Sequence, residues 1–103
     1  MDKIYICAPV AGNKAVNEQA VRWLCRKALS QGFAPFAPTL FYQHLLEHES
    51  GPLRAMGMAC SLAFLPHCQE IWVYGTQGMR PRMRKEMDVA KQLGIKLRLF
   101  TKG

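Results

Sequence analysis

The sequence lacks any apolar run near the roughly 20 residues that a membrane span needs, and no signal peptide opens it. Its four cysteines form no CxxC pair, so we expect buried thiols in a reducing cytosol rather than disulfides or a metal site. Internal repeats, linkers and low-complexity tracts are also missing. With 103 residues, half of them hydrophobic, the chain is predicted to be one globular cytoplasmic domain spanning residues 1–103, without a membrane partner.

Acidic residues are scarce, with seven Asp and Glu against fourteen Lys and Arg, which gives a formal charge of +7. Eight of the cations lie in residues 80–102, and such a patch raises the question of nucleic-acid binding. However, no aromatic residues interleave with the cluster, and no helix-turn-helix, zinc finger or RNA-binding motif is visible. We therefore favour a solvated helix face beside a site for a small anion, and keep nucleic-acid binding as the weaker alternative.

Hydrophobic periodicity predicts an α/β chain. Short apolar runs predict strands at residues 3–9, 33–37, 71–74 and 95–100, and helical patterns cover residues 15–30 and 54–65 and a third segment ending at residue 93. Residues 39–50 are interpreted as a loop with a helical turn that reaches over a cleft. This alternation predicts a small doubly wound, flavodoxin-like parallel sheet of about four strands in the order 2-1-3-4, with helices on both faces. Pro35 places the second strand at the sheet edge.

Helical spacing predicts which helix faces are buried. The core face of the first helix is expected at Val16, Ala20, Leu24 and Ala28. In the second helix the residues interpreted as core are Met56, Met58, Ala59, Leu62 and Ala63. In the last helix the apolar face comprises Met83, Met87, Ala90, Leu93 and Gly94. Glu86 falls within this apolar stripe. A carboxylate there indicates either a placed functional group or an error in the helical register.

Two of the three histidines, His44 and His48, stand at i, i+4 spacing, which can hold a metal ion on a helix. No third ligand stands at a convincing spacing, so we favour exposed histidines or histidines of a lid. Neither a metal nor another cofactor is expected.

Four segments carry a resemblance to a known family: KIYICAP, FAPFAPTLFYQHLLEH, CSLAFLPHCQEIWVYG and MRKEMDVAKQLGIKLRLF. They resemble DUF4406-type domains, which are similar to nucleoside 2-deoxyribosyltransferases and nucleotide N-glycosidases. In the transferases a Tyr of the first strand orients a Glu that attacks the anomeric carbon of the sugar. The resemblance implies these roles for Tyr5 and Glu86. On its own residue pattern, Tyr5 is better interpreted as a core aromatic in a buried strand.

The chain also departs from the family patterns. Ala8 stands where the transferases place Gly, and Pro81 and Arg82 replace a Ser-Gly pair of the DUF4406-type pattern.

Separately, a four-stranded domain with Trp23, Phe41, Tyr42 and Phe64 has more apolar surface than its core is expected to absorb, which predicts a homodimer. The related transferases also complete their sites with a neighbouring subunit, so the resemblance implies the same.

These observations predict that the protein binds a nucleoside or nucleotide and cleaves or transfers at its N-glycosidic bond, with Glu86 as the nucleophile. The alternative is a non-catalytic nucleotide-binding or sensing module. A phosphate group is expected at backbone N–H groups that begin a helix, next to arginines. The expected substrate and phosphate contacts are Gly12, Asn13, Gly75, Gly78, Met79, Arg80 and Arg82. Simple solvation of the two arginines remains the competing interpretation.

Overall fold

The computed structural model describes residues 1–10, 12–75 and 80–101. Within them the chain runs β1 Lys3–Cys7, α1 Lys14–Ser30, β2 Ala34–Phe36, α2 Pro38–Leu45, α3 Pro52–Phe64, β3 Glu70–Tyr74, α4 Pro81–Gln92 and β4 Lys96–Phe100. A short 3-10 turn, Leu65–His67, follows α3. None of the helices in this part of the chain is long and apolar enough to cross a membrane.

The four strands form one parallel sheet in the order β2-β1-β3-β4. This confirms the predicted strand order, and it confirms the edge position that Pro35 indicated for β2. In the register of the sheet, Tyr5 of β1 lies between Phe36 of β2 and Ile71 of β3. Because all four strands run the same way, their carboxyl ends meet at one edge, where open α/β sheets bind ligands.

Side chains alternate along the central strand β1 and so divide the core into two layers. Ile4 and Ile6 pack with Leu24 of α1 on one face of the sheet. Tyr5 and Cys7 pack on the other face, in the layer that contains the buried residues of α4. The sheet is therefore covered by helices on both faces, which confirms the doubly wound class.

The prediction of a loop with one helical turn at residues 39–50 was wrong over residues 39–45, because α2 occupies Pro38–Leu45. Pro38 takes the first turn, where its missing N–H is not needed and its fixed φ already suits a helix. Thr39 is buried and Leu40 packs against the α1 layer, so tertiary contacts hold the segment in place. The described chain thus has one α-helix more than the three predicted.

Two residues predicted to face the core do not. Val16 is 55% exposed, because packing of α1 against the sheet starts one turn later, at Ala20. Leu93 is 47% exposed, because α4 ends at Gln92 and the chain turns away at Gly94, whose φ is +72°. The buried residues of α4 are Met83, Glu86 and Ala90.

The core assignment of α3 was wrong in part: Met56 is 57% exposed, whereas Leu62 is half-buried and packs against the core. The buried residues of this helix are the small Gly57 and Ser61. A Cβ at position 57 would come within 2.7 Å of Leu46 Cδ1, so α3 lies too close to the preceding segment for a larger side chain. Close approach of the backbone, rather than the apolar pattern, decides which face of α3 is buried.

Candidate functional site

Glu86 lies on the face of α4 that packs against the sheet. Its exposed fraction is 0%, as are those of Met83 and Ala90, one turn to either side. The inward orientation predicted from the apolar stripe is therefore confirmed. A carboxyl group in such a position is costly unless hydrogen bonds satisfy it.

Three donor groups converge on the oxygens of the Glu86 carboxylate. The Tyr5 hydroxyl donates to Oε2, and the Cys7 thiol lies 3.3 Å from Oε1. Arg82 Nη1 donates to Oε1 at 2.8 Å, while Arg82 Nη2 donates to the carbonyl oxygen of Ala8. Both carboxylate oxygens are thus satisfied, and Arg82 bridges the start of α4 to the end of β1.

Local geometry explains why these groups meet. Tyr5 and Cys7 are two residues apart on β1, so both side chains project from the same face of the sheet. Arg82 precedes Glu86 by four residues, or about one helical turn, which puts both side chains on one side of α4. The central strand and the first turns of α4 together build the cluster.

The protonation states of the cluster follow from its burial. Burial raises the pKa of Glu86, while Arg82 and the hydrogen bonds from Tyr5 and Cys7 partly offset this rise. Burial also raises the pKa of Tyr5 and of Cys7, and the neighbouring Glu86 carboxylate raises both further. Tyr5 and Cys7 therefore remain protonated donors to Glu86 across the physiological pH range.

Two adjoining cavities share Val10, Gln43 and Arg54 in their walls, and the second of them is also lined by Arg82 of this cluster. One cavity, of about 440 Å³, is lined by residues of the loop that follows β1, of α1 and of α2, including the buried Thr39. The other, of about 410 Å³, is lined by Arg54, Arg80 and Arg82, and we call it the arginine cavity. Among the described residues that line the arginine cavity, none is acidic.

The sequence matches the family model of Domain of unknown function (DUF7768) over residues 2–100. The chain belongs to this family. The family is DUF7768, and not the DUF4406 type expected from the motifs. A search of curated proteins found no match.

Solved structures of deoxyribosyltransferases share the fold of this DUF7768 chain. The 2-deoxyribosyltransferase of Bacillus psychrosaccharolyticus superposes with a TM-score of 0.73 at 17% identity, over 96% of this chain and 72% of that one. The enzyme of Leishmania mexicana gives a TM-score of 0.66 at 18% identity, over 100% of this chain and 66% of that one. At such identities the likeness establishes the fold, and it confirms the expected structural resemblance to nucleoside 2-deoxyribosyltransferases.

The residues predicted to bind phosphate are only partly brought together in the DUF7768 chain. Gly12 has a φ of +97°, and a Cβ at this position would lie 4.0 Å from Arg80 Nη2, so these two residues are neighbours. Asn13 instead caps α1, because its side chain accepts a hydrogen bond of 3.1 Å from a backbone N–H of the first turn. The N–H of Gly75 donates to the carbonyl of Phe100 at 3.0 Å, within the sheet.

Two of the predicted phosphate contacts, Gly78 and Met79, lie outside the described residues. Arg80 is exposed at the mouth of the arginine cavity. Arg82 is partly buried and paired with Glu86, so simple solvation does not describe it.

Three residues near the site were missed from the sequence. Cys7 could have been found, because a period of two along β1 places it beside Tyr5. No pattern in the sequence indicates a role for Arg54. It lies in the first turn of α3 and donates a hydrogen bond of 3.0 Å to the carbonyl of Leu46. Thr39 Oγ1 is buried without a hydrogen-bond partner in the part of the chain that the structure describes.

The two histidines at i, i+4 spacing have different surroundings. His44 Nε2 lies 3.1 Å from Glu18 Oε1, whereas the His48 side chain is 92% exposed. Across residues 1–10, 12–75 and 80–101, no group of three or more His, Cys, Asp or Glu side chains is placed to hold a metal ion.

Proposed function

We propose that this protein binds a nucleoside or nucleotide and cleaves or transfers at its N-glycosidic bond. A Glu86 oxygen attacks the anomeric carbon, and the bond to the base breaks with its electron pair passing to the base nitrogen, which takes up a proton from water. Water then displaces Glu86 from the sugar, or a second base does so and completes a transfer. Tyr5 holds the carboxylate in place.

The observation that carries this proposal is a buried carboxylate held by Tyr5 of the central strand. Arg82 connects Glu86 to the arginine cavity, because it pairs with the carboxylate and also lines the cavity. Buried carboxylates are rare in proteins, and ionisable groups with perturbed pKa values beside a cleft are concentrated at functional sites. The fold that presents this carboxylate is shared with two solved 2-deoxyribosyltransferases.

The arginine cavity supports a phosphate-bearing ligand. Arg54, Arg80 and Arg82 can offer several charge-assisted hydrogen bonds, and guanidinium groups suit the oxygens of a phosphate. The start of α4 lies at the same cavity, since Pro81 lines it. We keep Gly12, Gly78 and Met79 as further proposed contacts to this phosphate.

The test is incubation of the protein with a panel of nucleosides and their 5′-monophosphates, with and without a second free base. Chromatography then follows release of the base or appearance of a new nucleoside. We expect turnover by the wild type and none by Glu86→Gln. Asp88→Asn is the matched control, because it removes an exposed carboxylate from the same helix and should leave turnover unchanged.

A non-catalytic binding module is the second candidate, and one observation favours it. Glu86 is 0% exposed, and its two oxygens already accept hydrogen bonds. Calorimetry with the same panel separates the candidates: saturable binding without release of base by any member identifies a binding module.

We also propose that the protein forms a homodimer. Phe41 on α2 is 56% exposed, and Met56 and Phe64 on α3 are 57% and 47% exposed. Large apolar side chains left exposed on helices are typical of subunit contacts. A neighbouring subunit placed on these helices would stand close to the cavities that Arg54 lines.

A further inference from the structure

Arg82 covers the carboxylate that the proposed reaction needs. Its Nη1 lies 2.8 Å from Glu86 Oε1, and its Nη2 is anchored on the carbonyl of Ala8. A nucleophile must approach the reacting carbon to about 3–3.5 Å. With Tyr5 on Oε2 and Arg82 on Oε1, Glu86 is fully buried and no sugar can reach it.

The same guanidinium faces a second place for an anion. Arg82 lines the arginine cavity together with Arg54 and Arg80. Its Nε is buried and has no hydrogen-bond partner among the described residues. Glu86 therefore satisfies only part of the donor capacity of Arg82, and a phosphate in the cavity would compete for the rest.

We propose that Arg82 determines specificity for phosphorylated substrates, because a phosphate monoester bound in the arginine cavity draws its guanidinium away from Glu86 and uncovers the nucleophile. This inference rests on the proposed function and names its substrate class as nucleoside monophosphates. A nucleoside without phosphate leaves Arg82 on Glu86.

Both halves of the exchange are chemically balanced. Glu86 loses a cation and keeps its bonds from Tyr5 on Oε2 and Cys7 on Oε1, so its position is retained while the side of Oε1 that Arg82 covered is opened. Loss of Arg82 also raises the pKa of Glu86, so the gain applies to the ionised form: a carboxylate without its counter-ion is a stronger nucleophile than a paired one. Arg82 gives up the Glu86 carboxylate and the Ala8 carbonyl for a phosphate, a bidentate partner that Arg54 and Arg80, which line the same cavity, would also contact. A ligand shifts such an equilibrium only through its preference for one state, and the phosphate supplies that preference.

Arg82→Met distinguishes this role from simple phosphate binding. If Arg82 only held phosphate, the variant would bind monophosphates more weakly and treat nucleosides as the wild type does. If Arg82 covers Glu86, the variant should also cleave nucleosides about tenfold faster or more, since the uncovered minor state of the wild type is a small fraction. Lys85→Met, an equal loss of charge at an exposed position of α4, is the matched control and should change neither substrate.

Inorganic phosphate tests whether a free anion in the arginine cavity acts in the same way as the phosphate group of a nucleoside monophosphate. Free phosphate should speed nucleoside cleavage by the wild type and have no such effect in Arg82→Met. Equal cleavage of nucleosides by wild type and Arg82→Met, in protein with a native circular dichroism spectrum, would overturn the proposal while leaving Glu86 catalysis intact.

A readout without turnover covers the case in which neither substrate class is cleaved, which would refute the proposed function. The Nε–H signal of Arg82 in a ¹⁵N spectrum of the wild type, assigned by its loss in Arg82→Lys, should shift on addition of inorganic phosphate. The Nε–H of Arg98, which pairs with Glu70 at 2.9 Å on β3, should not shift. An Arg82 signal unchanged at millimolar phosphate would overturn the exchange itself.

Discussion

Replacing Tyr5 by Phe isolates the contribution of one hydroxyl to the site. The ring is fully buried and makes an edge contact with Phe36, with centroids 5.6 Å apart, which phenylalanine retains. The change removes the bond to Glu86 Oε2 and leaves that oxygen buried without a donor. A hydrogen bond to a charged group contributes about 1.5–3 kcal/mol, against about 0.5–1.5 kcal/mol for a neutral one.

These values convert to a large shift in melting temperature. Unfolding entropy of about 2.1 cal/mol/K per residue makes each kcal/mol worth about 5 °C in a chain of this length. We therefore expect Tyr5→Phe to lower the Tm by about 7–14 °C where Glu86 is ionised. Tyr42→Phe, which removes a hydroxyl that is not buried, should lower the Tm far less than Tyr5→Phe does.

The loss should also depend on pH in a defined direction. The Tyr5 bond lowers the pKa of Glu86, so the pKa of Glu86 rises further in the variant. When the pKa of a carboxyl group is higher in the folded than in the unfolded protein, the free energy of unfolding decreases as pH rises from the unfolded-state pKa to the folded-state pKa. The deficit of Tyr5→Phe should accordingly be greater at pH 8 than at pH 4.5. Thermal unfolding that shows a deficit below about 0.5 kcal/mol at pH 8, or equal deficits at both pH values, would refute the hydrogen bond.

Three further expectations follow from the same structure. Burial raises the pKa of Glu86, so the stability of the wild type should fall as pH rises above 4.5, whereas Glu86→Gln should not show this fall. Urea unfolding should therefore give a free energy of unfolding for the variant that is higher relative to the wild type at pH 8 than at pH 4.5, and an equal difference at both pH values would contradict this. Inorganic phosphate should raise the Tm of the wild type, and Arg54→Met should remove most of the increase; a Tm indifferent to millimolar phosphate speaks against the arginine cavity as an anion site. Sedimentation at high micromolar concentration should give a dimer, because Phe41 and Met56 are both more than half exposed, and a strict monomer would refute the proposed homodimer.

The sheet and the position of Glu86 were accessible from the sequence because both depend on local periodicity. Four apolar runs separated by helical patterns allow few topologies once crossovers are right-handed. The stripe of Met83 and Ala90 fixed the inward direction of Glu86 because residues of α4 three and four apart share a face.

What could not be predicted depends on how closely elements approach one another. The burial of Gly57, rather than Met56, follows from the short distance to Leu46, which no pattern within α3 records. The pairing of Arg82 with Glu86 had a local signal in their spacing of four residues, but its anchor is the carbonyl of Ala8 on a distant strand. Whether an arginine at that spacing faces solvent or the core is decided by this tertiary contact.

The most direct test of the central claim is to trap the sugar on the enzyme. Wild-type protein is mixed with a 2′-deoxynucleoside 5′-monophosphate, quenched in acid during turnover, digested and analysed by mass spectrometry. The proposed mechanism requires an ester between the Glu86 carboxylate and the anomeric carbon of deoxyribose 5-phosphate, on the peptide that contains Glu86, and no adduct in Glu86→Gln. Continued release of base by Glu86→Gln, or an adduct on a different residue, would contradict the assignment of Glu86 as the nucleophile.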